Sequence, residues 1–220
     1  PSQSTPLTAC IMMEAFRLAD FPKGIVNLVS GRGSRAGAEL ALNPKVAMIS
    51  FTGSTAVGVS LSQQALKTVK RISLELGGKS PCVWLPDLPD YRPAIKPLFN
   101  SIFLNSGQTC TALSRLIVPK ARLTEVEKLL LDHVKDYPVG DPFDPKVLIG
   151  PMASRQQFET VKSYIELGVK EGARLLAGSI PEEPGAHEKG WFIQPTIFTN
   201  VKNDMRIARE EIFGPVLCVI

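Results

Sequence analysis

An α/β protein with parallel sheets wrapped by helices is what the sequence predicts, on three observations. Short apolar runs alternate with amphipathic stretches of helical spacing through the 220 residues, the pattern of strands joined by crossover helices. Two of those runs, residues 46–50 and 215–220, are apolar almost throughout, as suits strands covered on both faces. Gly77-Gly78 interrupts the alternation and places a domain boundary between residues 1–77 and 78–220.

Taken in order, Thr5-Pro6 opens a helix, because a hydroxyl caps free amides and proline suits the first turn. Leu7, Ile11, Ala15 and Leu18 give that helix an apolar face. Residues 25–29 are β-branched and read as a strand, with Ser30-Gly31-Arg32-Gly33 as its turn. A helix is expected over 34–42, a buried strand over 46–50, a helix from Ser54-Thr55 to about Lys67, and a third strand over 71–75. Beyond the boundary, residues 82–85 are strand-like and 89–105 contain a helix that runs into Ser106-Gly107-Gln108-Thr109-Cys110. A strand over 116–118, helices over 123–135 and 154–171, and strands at 174–177 and 192–193 around a polar loop, 179–190, complete the second half, with the apolar run 215–220 last.

Composition narrows the function classes. With 44% hydrophobic and 21% charged residues, the chain has the make-up of a soluble globular protein with a substantial core. The net charge of +4 arises from 25 basic and 21 acidic residues without a basic block, which argues against a nucleic-acid partner. No run of about 18 apolar residues spans a bilayer, and Pro1 to Thr8 lack the layout of a signal peptide, so no membrane is expected. Cys10, Cys82, Cys110 and Cys218 stand far apart, with two histidines and no Cys-x-x-Cys pair, so no metal site is expected. They read as free thiols of a reducing, cytoplasmic compartment. Both ends read as cut, the last on an unprotected strand, so the 78–220 segment is expected to be C-terminally truncated.

Gly31, Gly33 and Gly37 lie between a strand and a helix, but as Gly-x-Gly-x-x-x-Gly they depart from the usual dinucleotide fingerprint. Alone they mean no more than a tight turn. Phe51-Thr52-Gly53-Ser54-Thr55 turns from strand into helix, where free amides and the dipole suit an anion, unless Ser54 merely caps the helix. Cys110 differs from the other three cysteines, which keep the default of buried, inert thiols. It sits in a glycine-punctuated turn where a thiolate is open to substrate. Glu75 ends an apolar strand between Leu74 and Leu76, a setting that would raise its pKa into the range of a general base. Arg209 to Pro215 puts two acids beside an aromatic, either a surface turn or a grip for ribose hydroxyls. His133, in a charged helix, and His187, in the polar loop, offer no activated base, which weakens a Cys-His protease reading.

Four strings in this order resemble the aldehyde dehydrogenase superfamily over nearly the whole chain: Phe51 to Thr55, Leu74-Glu75-Leu76-Gly77-Gly78-Lys79, Gly107-Gln108-Thr109-Cys110, and Glu210-Glu211-Ile212-Phe213-Gly214-Pro215. The resemblance implies a partial Rossmann-like cofactor domain over 1–77 and an α/β catalytic domain over 78–220. It also implies oxidation of an aldehyde to a carboxylic acid with NAD or NADP. Cys110 would be the nucleophile, its own amide helping to hold the oxyanion, and Glu75 the base that activates water to hydrolyse the thioester. Gln3, Gly31, Gly53, Ser54, Leu76, Glu211 and Phe213 would bind the cofactor, with Glu211 on the nicotinamide ribose. Leu104, Thr109 and Thr111 would line the substrate tunnel. The parent enzyme would be a homodimer or homotetramer.

Some features depart from the family pattern. The lysine that usually precedes the Pro-Ser pair and an upstream oxyanion-hole asparagine do not occur in these 220 residues, so the excerpt alone is expected to be inactive. Gln3 stands where many NAD-preferring relatives carry a glutamate, and a neutral side chain does not repel a 2′-phosphate, which leaves NADP open. Two rivals remain: a CoA-acylating dehydrogenase, which needs no hydrolytic base, and a non-catalytic protein that keeps the fold.

Overall fold

Strands β1 (Met48–Thr52) and β2 (Arg71–Glu75) pair in parallel with Met48 opposite Arg71 and Thr52 opposite Glu75. A parallel pair requires a crossover, and helix α3 (Thr55–Ala65) supplies it. The computed structural model describes residues 1–182 and 190–220, in two units, Pro1–Gly77 and Gly78–Ile220. Helices α1 (Leu7–Leu18) and α2 (Ala38–Leu42) complete the first unit.

Several expectations for this unit are corrected. Residues 25–29 form no strand: Ile25 and Val29 are 68% and 67% exposed, and no ladder joins the segment to β1 or β2. β-branched residues favour a strand only where a neighbour supplies hydrogen bonds and a packed face. The predicted apolar face of α1 is the outer one, with Leu7, Ile11, Ala15 and Leu18 exposed. Ala9, Met13 and Phe16 are the half-buried residues instead, Phe16 lying 5.1 Å from the Phe21 ring. Cys10, expected to be buried, is exposed on the same helix. The helix predicted over 34–42 begins as a π-helical turn, Gly33–Gly37, before α2; glycines at 33 and 37 weaken the α-helical alternative.

In the second unit, five strands run in the order β3 (Pro81–Val83), β4 (Arg115–Ile117), β7 (Val216–Val219), β6 (Thr196–Thr199) and β5 (Arg174–Ala177). All pair in parallel except the edge strand β5, which is antiparallel to β6. The central strands β6 and β7 are buried at every residue, and strand alternation sends their side chains to two separate cores. Ile197, Leu217 and Val219 pack with α4 (Arg92–Phe103) and α5 (Leu123–Val134). Phe198, Val216 and Cys218 pack with α6 (Arg155–Lys170) and α7 (Arg206–Arg209) on the other face. Helices on both faces of a mostly parallel sheet are the α/β architecture expected. Burial pushes the Cys218 thiol up, and the half-buried Cys82 thiol likewise.

Two elements differ from the sequence reading. Residues 192–193 are not a strand, and the ladder forms at β6, where Thr196 N–H donates to the Pro215 carbonyl at 2.8 Å. Its flanking threonines, Thr196 and Thr199, are fully buried, so polar residues occupy positions that read as surface. The short α7 was not anticipated; its first turn is held from outside, Glu171 accepting from the amides of Arg206 at 2.9 Å and Ile207 at 3.4 Å. The polar loop with His187 lies partly outside the described residues.

Phe99 is fully buried, with its ring centroid 4.9 Å from that of Phe103 and 5.4 Å from that of Tyr137. Phe99→Ala is expected to cost about 3–5 kcal/mol, read from the denaturant midpoint of equilibrium unfolding.

Candidate active site

The first unit gathers its predicted cofactor residues at the C-terminal end of β1 and around the Ser30–Gly31 turn. Gly53 N–H donates to the Glu75 carbonyl at 3.0 Å, extending the β1–β2 ladder one step past β1. Ser54 caps α3, its hydroxyl accepting from Val57 N–H at 3.4 Å. Leu76 packs on the helix, where a Cβ on the buried Gly58 would meet Leu76 Cδ2 at 2.7 Å. Gln3 and Gly31 share an open crevice of about 540 Å³ with Ser30 and Arg32. Arg32 and Arg35 border a second crevice beside it. Gly33 and Gly37 have nothing within 4 Å of an added Cβ, so the chain itself does not require their smallness.

Glu75 closes β2 and is exposed, while Leu74 and Leu76 are half-buried. The apolar setting expected for its carboxylate is therefore corrected: alternation along the strand turns both leucines away from it.

In the second unit, α4 unwinds into the turn Leu104–Gly107, in which Asn105, Ser106 and Gly107 all have left-handed backbones, with φ of 52°, 57° and 73°. Two consecutive non-glycine residues in that region are strained, and the surroundings hold them. Buried Ser106 donates from Oγ to the Gly150 carbonyl at 2.8 Å. Asn105 and Gln108 exchange side-chain to carbonyl bonds at 3.0 and 3.1 Å, and Gln108 Oε1 accepts from Ala153 N–H at 2.9 Å. Gly107 lies against the backbone of Gly214, where an added Cβ would sit 2.2 Å from the carbonyl carbon. This turn delivers Cys110 with its thiol exposed. The Cys110 amide donates to no group among the described residues.

Gly78 ties Cys110 to the acidic segment. Its missing Cβ makes room for the Cys110 carbonyl, which a Cβ would meet at 2.7 Å, and its N–H donates to Glu211 Oε1 at 3.2 Å. The two adjacent acids are thereby distinguished. Glu210 is occupied, accepting from Arg206 Nε at 2.8 Å and Tyr164 Oη at 2.8 Å, and these bonds pull its carboxyl down to about 2. Glu211 makes no ion pair among the described residues and remains open to a ligand. Gln157 Nε2 holds the next turn, donating to the carbonyls of Ile212 and Phe213 at 3.1 and 2.9 Å. Phe213 has a φ of 57° and is 37% exposed. Glu211, Phe213, Thr109 and Lys79 border one small cavity. Leu104 and Thr111 stand exposed on the turn that carries Cys110, outside that cavity.

Residues that the sequence reading did not assign complete this arrangement: Gly78, Gln157 and Lys79. Only a glycine pair followed by lysine in an apolar string signals the first and last. His133 is spent within α5, its Nδ1 lying 2.9 Å from the Leu129 carbonyl. His187 lies outside the described residues.

The family profile of the aldehyde dehydrogenases matches residues 1–220. Among curated proteins, 3-succinoylsemialdehyde-pyridine dehydrogenase of a Pseudomonas species is 46% identical over all of this chain and 46% of its own length. Among solved structures, a mutant of aldehyde dehydrogenase C from Pseudomonas syringae, complexed with NAD+ and octanal, is 44% identical with a TM-score of 0.95. It covers 100% of this chain and 45% of that one. The NAD+ complex of an aldehyde dehydrogenase from Bacillus cereus is 40% identical with a TM-score of 0.93, over 100% of this chain and 44% of that one. The chain thus spans less than half the length of these relatives.

Two outcomes follow from the local geometry. Gly107→Ala is expected to destabilise by more than about 2 kcal/mol, because a Cβ meets backbone and the φ is left-handed; thermal unfolding reads the loss. The depressed pKa of Glu210 makes its stabilisation complete above the ordinary carboxylate pKa of 4.5 and lost as pH falls towards about 2. Unfolding curves across that window are expected to flatten in Arg206→Met.

Proposed function

Because the chain belongs to the aldehyde dehydrogenase family, we propose that the whole protein oxidises an aldehyde to a carboxylic acid with NAD or NADP through a cysteine thioester. The observation that carries this reading is Cys110. Its thiol is exposed just past a strained turn, its amide is uncommitted among the described residues, and Gly78 bonds Glu211 from beside the Cys110 carbonyl.

Cys110 attacks the aldehyde carbon as a thiolate, and its own amide donates to the oxyanion that forms. A nicotinamide held on its ribose side by Glu211 and Phe213 would accept the hydride lost from the thiohemiacetal carbon, and Cys110 would then carry the thioester. Glu75 takes a proton from water, the resulting hydroxide adds to the thioester carbonyl, and the carbon–sulfur bond breaks to release the acid and restore the thiolate. The exposed carboxylate of Glu75 is open to the water it would activate.

The residues present suit a dinucleotide. Gln3 and Gly31 share a crevice, Ser54 and Gly53 open a helix N-terminus towards an anion, Leu76 packs beside that helix, and Glu211 grips ribose hydroxyls with Phe213 next to it. Among the described residues no carboxylate lines the crevice of Gln3 and Arg32, so a 2′-phosphate is not repelled and NADP is accepted beside NAD. Thr109, Thr111 and Leu104 border the path of a substrate that is not strongly charged. The whole protein acts as a cytoplasmic homodimer or homotetramer on a small-molecule aldehyde.

In the whole protein, Cys110→Ser is expected to abolish dehydrogenase turnover, and turnover that survives would show the nucleophile to be wrong. Glu75→Gln is expected to keep a first-turnover burst of reduced cofactor while slowing later turnovers by about 100-fold or more. Product that forms only with CoA would identify the acylating reaction instead. Steady-state kinetics with both cofactors test the crevice, where a preference for NAD of more than about tenfold would discard acceptance of NADP.

A further inference from the structure

Lys79 is a titratable side chain that the proposed chemistry leaves without a task. Its Nζ is buried and hydrogen-bonded to no group among the described residues. An amino group taken out of water without a partner is costly, so a residue in this state calls for a partner. Arg115, a second cation, is in its surroundings, donating from Nε to the Lys79 carbonyl at 2.8 Å. Burial above all pushes the Lys79 pKa down and Arg115 adds to that, while Cys218, Glu211 and Glu210 oppose it.

The partner has a place. Lys79 and Glu211 line the same cavity, about 10 Å³, with Ser114 and Thr109. That is room for about one water, which needs two to four polar neighbours. Glu211, meanwhile, is held among the described residues by a single hydrogen bond, from Gly78 N–H to Oε1. One bond leaves a carboxylate free to swivel about its terminal torsion; a second donor fixes it.

We propose that Lys79 is a positioning residue: through one water in this cavity, its Nζ fixes the Glu211 carboxylate in the orientation that grips the cofactor ribose. The proposal rests on the reading of Glu211 as a cofactor ligand. Lys79 itself touches neither substrate nor cofactor. Cofactor affinity and fold stability should therefore separate when it is replaced, because methionine fills the same space without burying an amino group.

The test is a double-mutant cycle in the whole protein with Lys79→Met, Glu211→Gln and both, titrating NAD by quenching of intrinsic fluorescence and recording thermal unfolding. Lys79→Met is expected to weaken NAD binding about tenfold without lowering the melting temperature, and the double variant to bind no worse than Glu211→Gln alone. Lys79→Gln keeps a donor and is expected to stay within about threefold of the native affinity; binding as weak as in Glu211→Gln would overturn the proposal even if Lys79→Met did not fold. Native affinity in Lys79→Met beside weakened Glu211→Gln would dismiss Lys79 and leave the ribose ligand standing. Multiplying effects, or a melting temperature that falls with affinity, would likewise dismiss it. Native affinity in Glu211→Gln would remove both readings.

Discussion

The contact on which the candidate site depends is made by an atom that is missing. Gly78 approaches the Cys110 carbonyl so closely that a Cβ would sit 2.7 Å from it, and from that position its N–H reaches Glu211 at 3.2 Å. Three segments remote in sequence meet there: the glycine pair before β3, the turn after α4 and the loop before β7. No side chain larger than hydrogen serves, because the obstacle is backbone and cannot rotate aside.

A rigid base makes such closeness sustainable. Strands β6 and β7 are buried on both faces, with the α4–α5 core on one side and the α6–α7 core on the other. Against that sheet the 104–107 turn keeps its left-handed residues, since Gly107 is pressed on Gly214 and Ser106 is anchored to Gly150. Strain of this kind persists only where the surroundings over-determine it. Its result is an exposed thiol beside a committed backbone. The division of labour between Glu210 and Glu211 has the same origin, for α6 brings Tyr164 and α7 brings Arg206 to the first acid and to it alone.

Secondary structure was legible where local rules and tertiary packing agree. Ser54 was readable as a helix start because a capping hydroxyl acts within three residues, and it accepts the bond expected of it. The β-branched run at 25–29 misled, since a strand is a relation between two segments and none of the described residues pairs with it. Strand β6 was missed for the converse reason: its buried threonines read as polar surface. In the site, the setting of Cys110 and Glu75 in the sequence made them candidates, and the resemblance to the family added Glu211. Gly78 and Lys79 went without a role because their meaning is a distance, and a sequence carries none.

The sequence by itself determined the α/β class and the strings that mark the family, because alternation of apolar runs and capping chemistry act over a few neighbouring residues. Only the tertiary structure decided which of two adjacent acids is spent on an ion pair, and that a lysine is buried beside the other. It also decided that the glycine before that lysine carries the contact between cysteine and acid. Arg206 reaches Glu210 from only four residues back, but the Tyr164–Glu210, Gly78–Glu211 and Gly78–Cys110 contacts join residues more than 30 positions apart, brought within a few ångströms by the packing of helices on both faces of one sheet.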